Sequence, residues 1–306
     1  MADEKAERAL RRAAAANALG RYEDGLREAR LALQFDLSLK DGYGYCTQAL
    51  LGLEEPAQAL DTARAGLAHH PDSEWLNRNA SAAAQALGLN NEALAFADEA
   101  VRLLPRSSLA HNRRARALHA LRRCTEARAA YALAIELSPG TASHYTDLGF
   151  LLLNIAPAEA AALLKKSLEL NPMCATTHNF LGIALLRLNR PEEAARAFRS
   201  AVQLDPTQKV ARSNAHLTLS WIVGKPVPAW MLVAFCLGCF ALATFPAMFG
   251  LDTSGLTVTI LLIAIPWMLT VLVLKKMQAR QAHRVLDPDL LRLYDQLEAD
   301  LEAGRR

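Results

Sequence analysis

Prolines stand at positions 71, 105, 139, 172 and 206, at intervals of 34, 34, 33 and 34 residues. Other columns keep the same interval. Ala59, Ala93, Ala127, Ala160 and Ala194 form one, and Gly66, Ala100, Ala134, Ser167 and Ala201 form a second that is always small. A third, of more variable bulk, runs Ala63, Ala97, Tyr131, Leu164 and Phe198. A fixed period of this length marks a stack of copies of one supersecondary unit. A single unit cannot bury its apolar face alone, so each neighbour must cover the next.

The unit is clearest over 175–206. Its sequence reads as two amphipathic helices, Thr176–Leu188 and Pro191–Leu204, joined at Asn189 and Arg190. Pro191 suits a first helical position, where its missing N–H would have no partner, and Pro206 cannot continue the second helix. Gly182, Ala194 and Ala201 let backbones approach, while Leu181, Leu185 and Phe198 fill the space between them. This pattern of small residues, an aromatic and a terminal proline resembles the tetratricopeptide repeat family, over roughly residues 6–220. A degenerate first copy fits Ala6–Leu39, with Gly20, Tyr22, Gly25 and Ala32 in the expected slots and Leu37 in place of the proline. The fifth copy is one residue short near Ile155-Ala-Pro157, expected in its inter-helix turn. The resemblance implies an all-α fold: a right-handed superhelical solenoid of about six helix–turn–helix repeats. A capping helix over Thr207–Trp221 follows, so the solenoid with its cap spans 1–221. The resemblance also implies a protein or peptide partner.

Beyond a linker over 222–228 the composition changes. Residues 229–249 and 256–274 carry no charge, and a helix of about 20 apolar residues is long enough to cross a bilayer. The expectation is a two-helix transmembrane hairpin over 229–274. Lys225 precedes it, Lys275, Lys276, Arg280 and Arg284 follow it, and the loop between holds only Asp252. By the positive-inside rule the N- and C-termini lie in the cytoplasm, and the expected localisation is an integral membrane protein of a bacterial inner membrane. Residues 275–306 form a basic juxtamembrane segment and a C-terminal amphipathic helix. That helix starts at Asp287-Pro288 and carries the stripe Leu290, Leu293, Tyr294, Leu297 and Leu301, suited to packing on the solenoid or to self-association.

Bulk composition agrees with two parts: 52% of residues are hydrophobic and 21% charged. A net charge of +3, with no basic run interleaved with aromatics, speaks against nucleic acid. Five scattered cysteines do not make a disulfide framework and point to a reducing compartment. The charged N-terminus has no apolar core of a secretory signal. Enzyme chemistry finds no foothold. Cys236 and Cys239 have redox spacing but lie in an apolar stretch, and His69-His70 lacks further ligands. No phosphate loop or nucleophile elbow is present. No catalytic residue, cofactor or metal is expected.

Binding is expected where the first helices of successive repeats line a concave face. The inward slots are Tyr45 and Gln48, then Arg78 and Gln85, then Asn112, Arg116 and His119, then Thr146 and Phe150, then Asn179 and Ile183. Arg78 and Asn112 hold equivalent slots in neighbouring repeats, with Arg116 one turn on. Two guanidinium forks and an amide can grip a carboxylate. The set resembles the carboxylate clamp of tetratricopeptide domains that bind acidic C-terminal peptides, although the family's lysine and paired asparagines are not reproduced. The functional expectation is a membrane-anchored scaffold or adaptor that binds a protein or peptide in its cytoplasmic groove. The alternative is a structural or regulatory subunit of a membrane complex, held through its transmembrane hairpin.

Overall fold

The computed structural model describes residues 2–223, 286 and 288–303. Every regular element among them is an α-helix. In chain order these are α1 (Ala2–Ala18), α2 (Tyr22–Phe35), α3 (Lys40–Gly52), α4 (Pro56–His69), α5 (Glu74–Ala86), α6 (Asn90–Leu103) and α7 (Ser108–Ala120). They continue as α8 (Cys124–Leu137), α9 (Ala142–Leu152), α10 (Pro157–Leu170), α11 (Ala175–Arg187), α12 (Pro191–Leu204), α13 (Lys209–Val223) and α14 (Pro288–Ala303). The chain divides into two compact units, Met1–Pro172 and Met173–Arg306.

Within each unit odd and even helices pair, and each pair packs on the next odd helix. The proline interval positions these contacts. Ala59, Ala93, Ala127, Ala160 and Ala194 are fully buried, as are Ala100, Ala134 and Ala201. Methyl-sized side chains there bring the helix axes close enough for the larger third column to interdigitate. Tyr131, Leu164 and Phe198 from that column are among the largest fully buried side chains. In the second unit Gly182 permits a close approach: a Cβ there would lie 2.5 Å from the Phe198 ring.

The turns inside repeats are built alike. Gly20, Glu54, Gly88, Arg122 and Asn189 adopt φ of 71°, 60°, 76°, 63° and 57°, the left-handed conformation that ends many helices. The next residue then donates its N–H to a carbonyl five residues back: Arg21 to Ala16, Glu55 to Leu50, Leu89 to Ala84, Arg123 to Leu118 and Arg190 to Leu185, each at 2.9 Å. Turns between repeats are capped where serine precedes the helix. The Oγ atoms of Ser73 and Ser107 accept from the N–H groups of Leu76 and Ala110. The fifth repeat loses its residue from the helix rather than the turn: α9 has 11 residues against 13 in α11. Leu153–Ala156 form a correspondingly longer link to α10.

The membrane placement expected from the sequence is corrected here. Among the described residues no helix is long and apolar enough to cross a membrane. The longest, α1 with 17 residues, carries Asp3, Glu4, Lys5 and Glu7 in its first turns, and a span needs about 20 mainly apolar residues. An integral inner-membrane protein with both termini cytoplasmic therefore has no support in these helices. The stretches 229–249 and 256–274, on which the hairpin expectation rested, lie outside the described residues, as does the linker from 224 to 228.

Candidate functional site

In the first unit a cleft of about 410 Å³ opens among α1, the start of α2, α3, α5 and α7. Its apolar lining comes from Ala14, Ala18, Tyr22, Leu51 and Ala82, and its polar lining from Asn17, Gln48, Arg78, Asn79 and Arg113. Small residues at 14, 18 and 82 leave the space open. The polar residues fall there because positions one or two turns apart on successive first helices share a face.

Arg113 is the unusual member. Its Nε is buried and has no hydrogen-bond partner. Burial, with the Arg116 and Arg78 charges nearby, pushes its guanidinium down to about 10, against the opposing pull of Asp147. It therefore stays a cation at neutral pH, and burying part of a cation without a partner is costly. The nearby acids are already engaged. Glu74 pairs with Arg78 at 3.1 Å and accepts a hydrogen bond from the Ser107 hydroxyl at 2.9 Å. Asp147 accepts from the Asn112 amide at 3.0 Å.

The expected groove residues separate into three groups. Gln48 and Arg78 line the cleft. Gln85, Asn112 and Arg116 join neighbouring first helices instead: Gln85 donates to the Arg116 carbonyl at 3.1 Å, and Asn112 spends its amide on Asp147. Arg116 keeps its side chain exposed. The rest contact other side chains. Tyr45 meets Trp75 edge to face at 5.2 Å, over the surface where Trp75 also covers Gly44. His119 lies 5.5 Å from the Phe150 ring. Thr146 turns toward the second helix of its own repeat, 2.7 Å from the Ser167 hydroxyl. Asn179, in the second unit, accepts from the Asn214 amide at 3.0 Å.

Asn79 and Arg113 are missing from the sequence-derived set, although each directly follows one of its members. One residue rotates a helical side chain by about 100°: on α7 that turns Asn112 to Asp147 and leaves Arg113 lining the cleft, whereas on α5 both Arg78 and Asn79 line it. A signal did exist. Asn79 donates to the Gly44 carbonyl at 3.3 Å, Asn112 pairs with Asp147 and Asn214 with Asn179, each 35 residues apart instead of 34. Polar residues at that offset report contact between adjacent first helices.

Residues 83–142 and 157–209 match the family model of the tetratricopeptide repeat. No curated protein sequence matches the chain. Among solved structures, one from the Cut9–Hcn1 hetero-tetramer of the APC/C superposes with a TM-score of 0.64 at 15% identity, covering 71% of this chain and 43% of that one. This chain thus spans less than half of that relative's length. A thermophilic tetratricopeptide-repeat protein of Thermus thermophilus gives 0.56 at 24% identity, covering 59% of this chain and 99% of its own. PilF of Pseudomonas aeruginosa gives 0.54 at 16%, covering 69% and 97%. At these identities the likeness concerns the fold alone. With the 34-residue columns and the paired helices in agreement, residues 83–142 and 157–209 carry the tetratricopeptide repeat that the family model describes.

Proposed function

We propose that the protein is an interaction scaffold whose cleft among α1, the start of α2, α3, α5 and α7 receives an acidic segment of a partner protein. Tetratricopeptide repeat proteins in general bind protein or peptide partners. The observation that carries the finer reading is Arg113, a cation with a buried, unpartnered Nε in an open cleft. A carboxylate entering beside it would gain a charge-assisted bond, with Arg78 adding charge and the amides of Asn79 and Gln48 fixing orientation. Leu51 and Tyr22 would cover the aliphatic part of the incoming side chain.

The test is fluorescence anisotropy with a labelled octaglutamate probe and its octaglutamine counterpart, on the full chain. Binding should be specific to octaglutamate and weaken as salt rises. Arg113→Gln should weaken it by about ten- to a hundredfold, the value of a charged hydrogen bond. Arg78→Gln, at the second cation of the cleft, gives a second reading if the first variant loses helicity. Equal binding of both probes, or octaglutamate binding untouched in both variants, would sink the proposal.

A further inference from the structure

In the second unit α13 has the buried pattern of a first helix. Ala211, Ala215 and Leu219 are fully buried, and each lies 34 residues after a buried residue of α11: Thr177, Leu181 and Leu185. The Asn214–Asn179 bond joins the two helices as Asn112–Asp147 joins α7 and α9. A first helix in this fold packs against a second, and for α13 that place is taken by α14. Leu290, Leu293 and Leu297 of α14 are buried. His216 Nε2 lies 3.1 Å from Glu298, Arg212 pairs with Asp300, and Arg199 of α12 pairs with Asp289 at 3.0 Å.

The direction of the contact is informative. Going up α13 from Arg212 to His216, the partners on α14 go down from Asp300 to Glu298, so the helices are antiparallel. Continuing that register sets Val223 level with Leu290. The chain thus leaves α13 and re-enters α14 at the same end of the pair, as in a helix hairpin. His216 occupies the slot of Gly182, which in the preceding repeat lets Phe198 approach to contact. In place of that glycine, His216 presents an imidazole that meets Glu298.

We infer that α13 and α14 are the two helices of one further repeat, divided by residues 224–287. α13 is then not a terminal cap but half a repeat, completed by a helix that reaches it only when both ends of 224–287 stand together. The last interface of the array is a separable one, held by a leucine stripe and charge pairs. It couples the order of α13 to a segment outside the repeats.

Hydrogen exchange on the full chain tests this. Reversing charge in Glu298→Lys with Asp300→Arg should speed exchange across 209–223 by about three- to thirtyfold, because ion pairs of this exposure are individually weak and act together here. Arg212→Asp combined with Asp300→Arg should restore part of the protection lost in Asp300→Arg alone. Unchanged exchange in the reversed variant would show α13 to be a self-sufficient cap and overturn the inference. A second variant replaces 224–287 by the Leu-Asn-Arg turn that joins α11 to α12. If the inference holds, α14 stays protected; exchange of α14 at the rate of a free peptide would overturn it.

Discussion

At the scale of single residues the least comfortable group is His144. It is fully buried, and neither ring nitrogen has a hydrogen-bond partner. Burial lowers its pKa below the ordinary 6.5, with Asp147 pulling the other way. The folded protein therefore keeps the imidazole neutral where the unfolded chain protonates it. Stability should be complete above about 6.5 and fall as pH drops through that value toward the lower folded pKa. His144→Leu removes two unsatisfied atoms and should raise unfolding free energy by about 1 kcal/mol at neutral pH. It should also flatten the acid limb; urea titrations at two pH values measure both, and an unchanged acid limb would assign the slope elsewhere. His119, depressed by burial and Arg122, contributes the same sign and would remain in the variant. Single residues were the least legible part of the sequence. The column of Arg78 and Asn112 was visible, but of the two only Arg78 lines the cleft, where Asn79 and Arg113 join it. The one-residue rotation that decides between Asn112 and Arg113 comes from helix packing, which the repeat interval does not encode.

At the scale of elements the repeat interval carried most of the information. The two helices expected over 176–188 and 191–204 form at Ala175–Arg187 and Pro191–Leu204, because proline and the small columns punctuate them directly. The turns add something the interval did not show: the same left-handed slot is filled by Gly20 and Gly88 but also by Glu54 and Arg122. A side chain there costs roughly 1–2 kcal/mol, and glycine loses about 0.4–1 kcal/mol through the greater freedom of the unfolded chain. The strain term is the larger. Glu54→Gly and Arg122→Gly should each stabilise by about 0.5–1 kcal/mol, read as a rise in the urea midpoint with an unchanged slope. Asn189→Gly should gain less, since asparagine tolerates this conformation. The opposite change, Gly88→Ala, should cost about 1 kcal/mol although nothing lies within 4 Å of its missing Cβ. If space rather than backbone conformation governed the site, that substitution would be silent.

At the scale of the whole molecule, the columns made the helical array legible from the sequence because each repeat packs mainly on its neighbours. The same property limits how far a perturbation travels. Stability in such arrays is close to a sum of repeat and nearest-neighbour terms, so damage in one unit should stay near its origin. Gly182→Val provides the test. Its side chain would enter space where even a Cβ stands 2.5 Å from the Phe198 ring, and overpacking of a close contact costs about 1–3 kcal/mol. Amide exchange should accelerate across α11, α12 and α13, and in α14 if it is the other half of a divided repeat. Exchange in α3–α8, centred on the core of Leu50, Leu60, Ala83 and Ala93, should keep its rate. A uniform acceleration from α1 to α13 would mean that the chain unfolds as one cooperative body. The cleft beside Arg113 would then be sensitive to any distant substitution, and loss of octaglutamate binding in a variant would have to be corrected for global stability before it was assigned to the cleft.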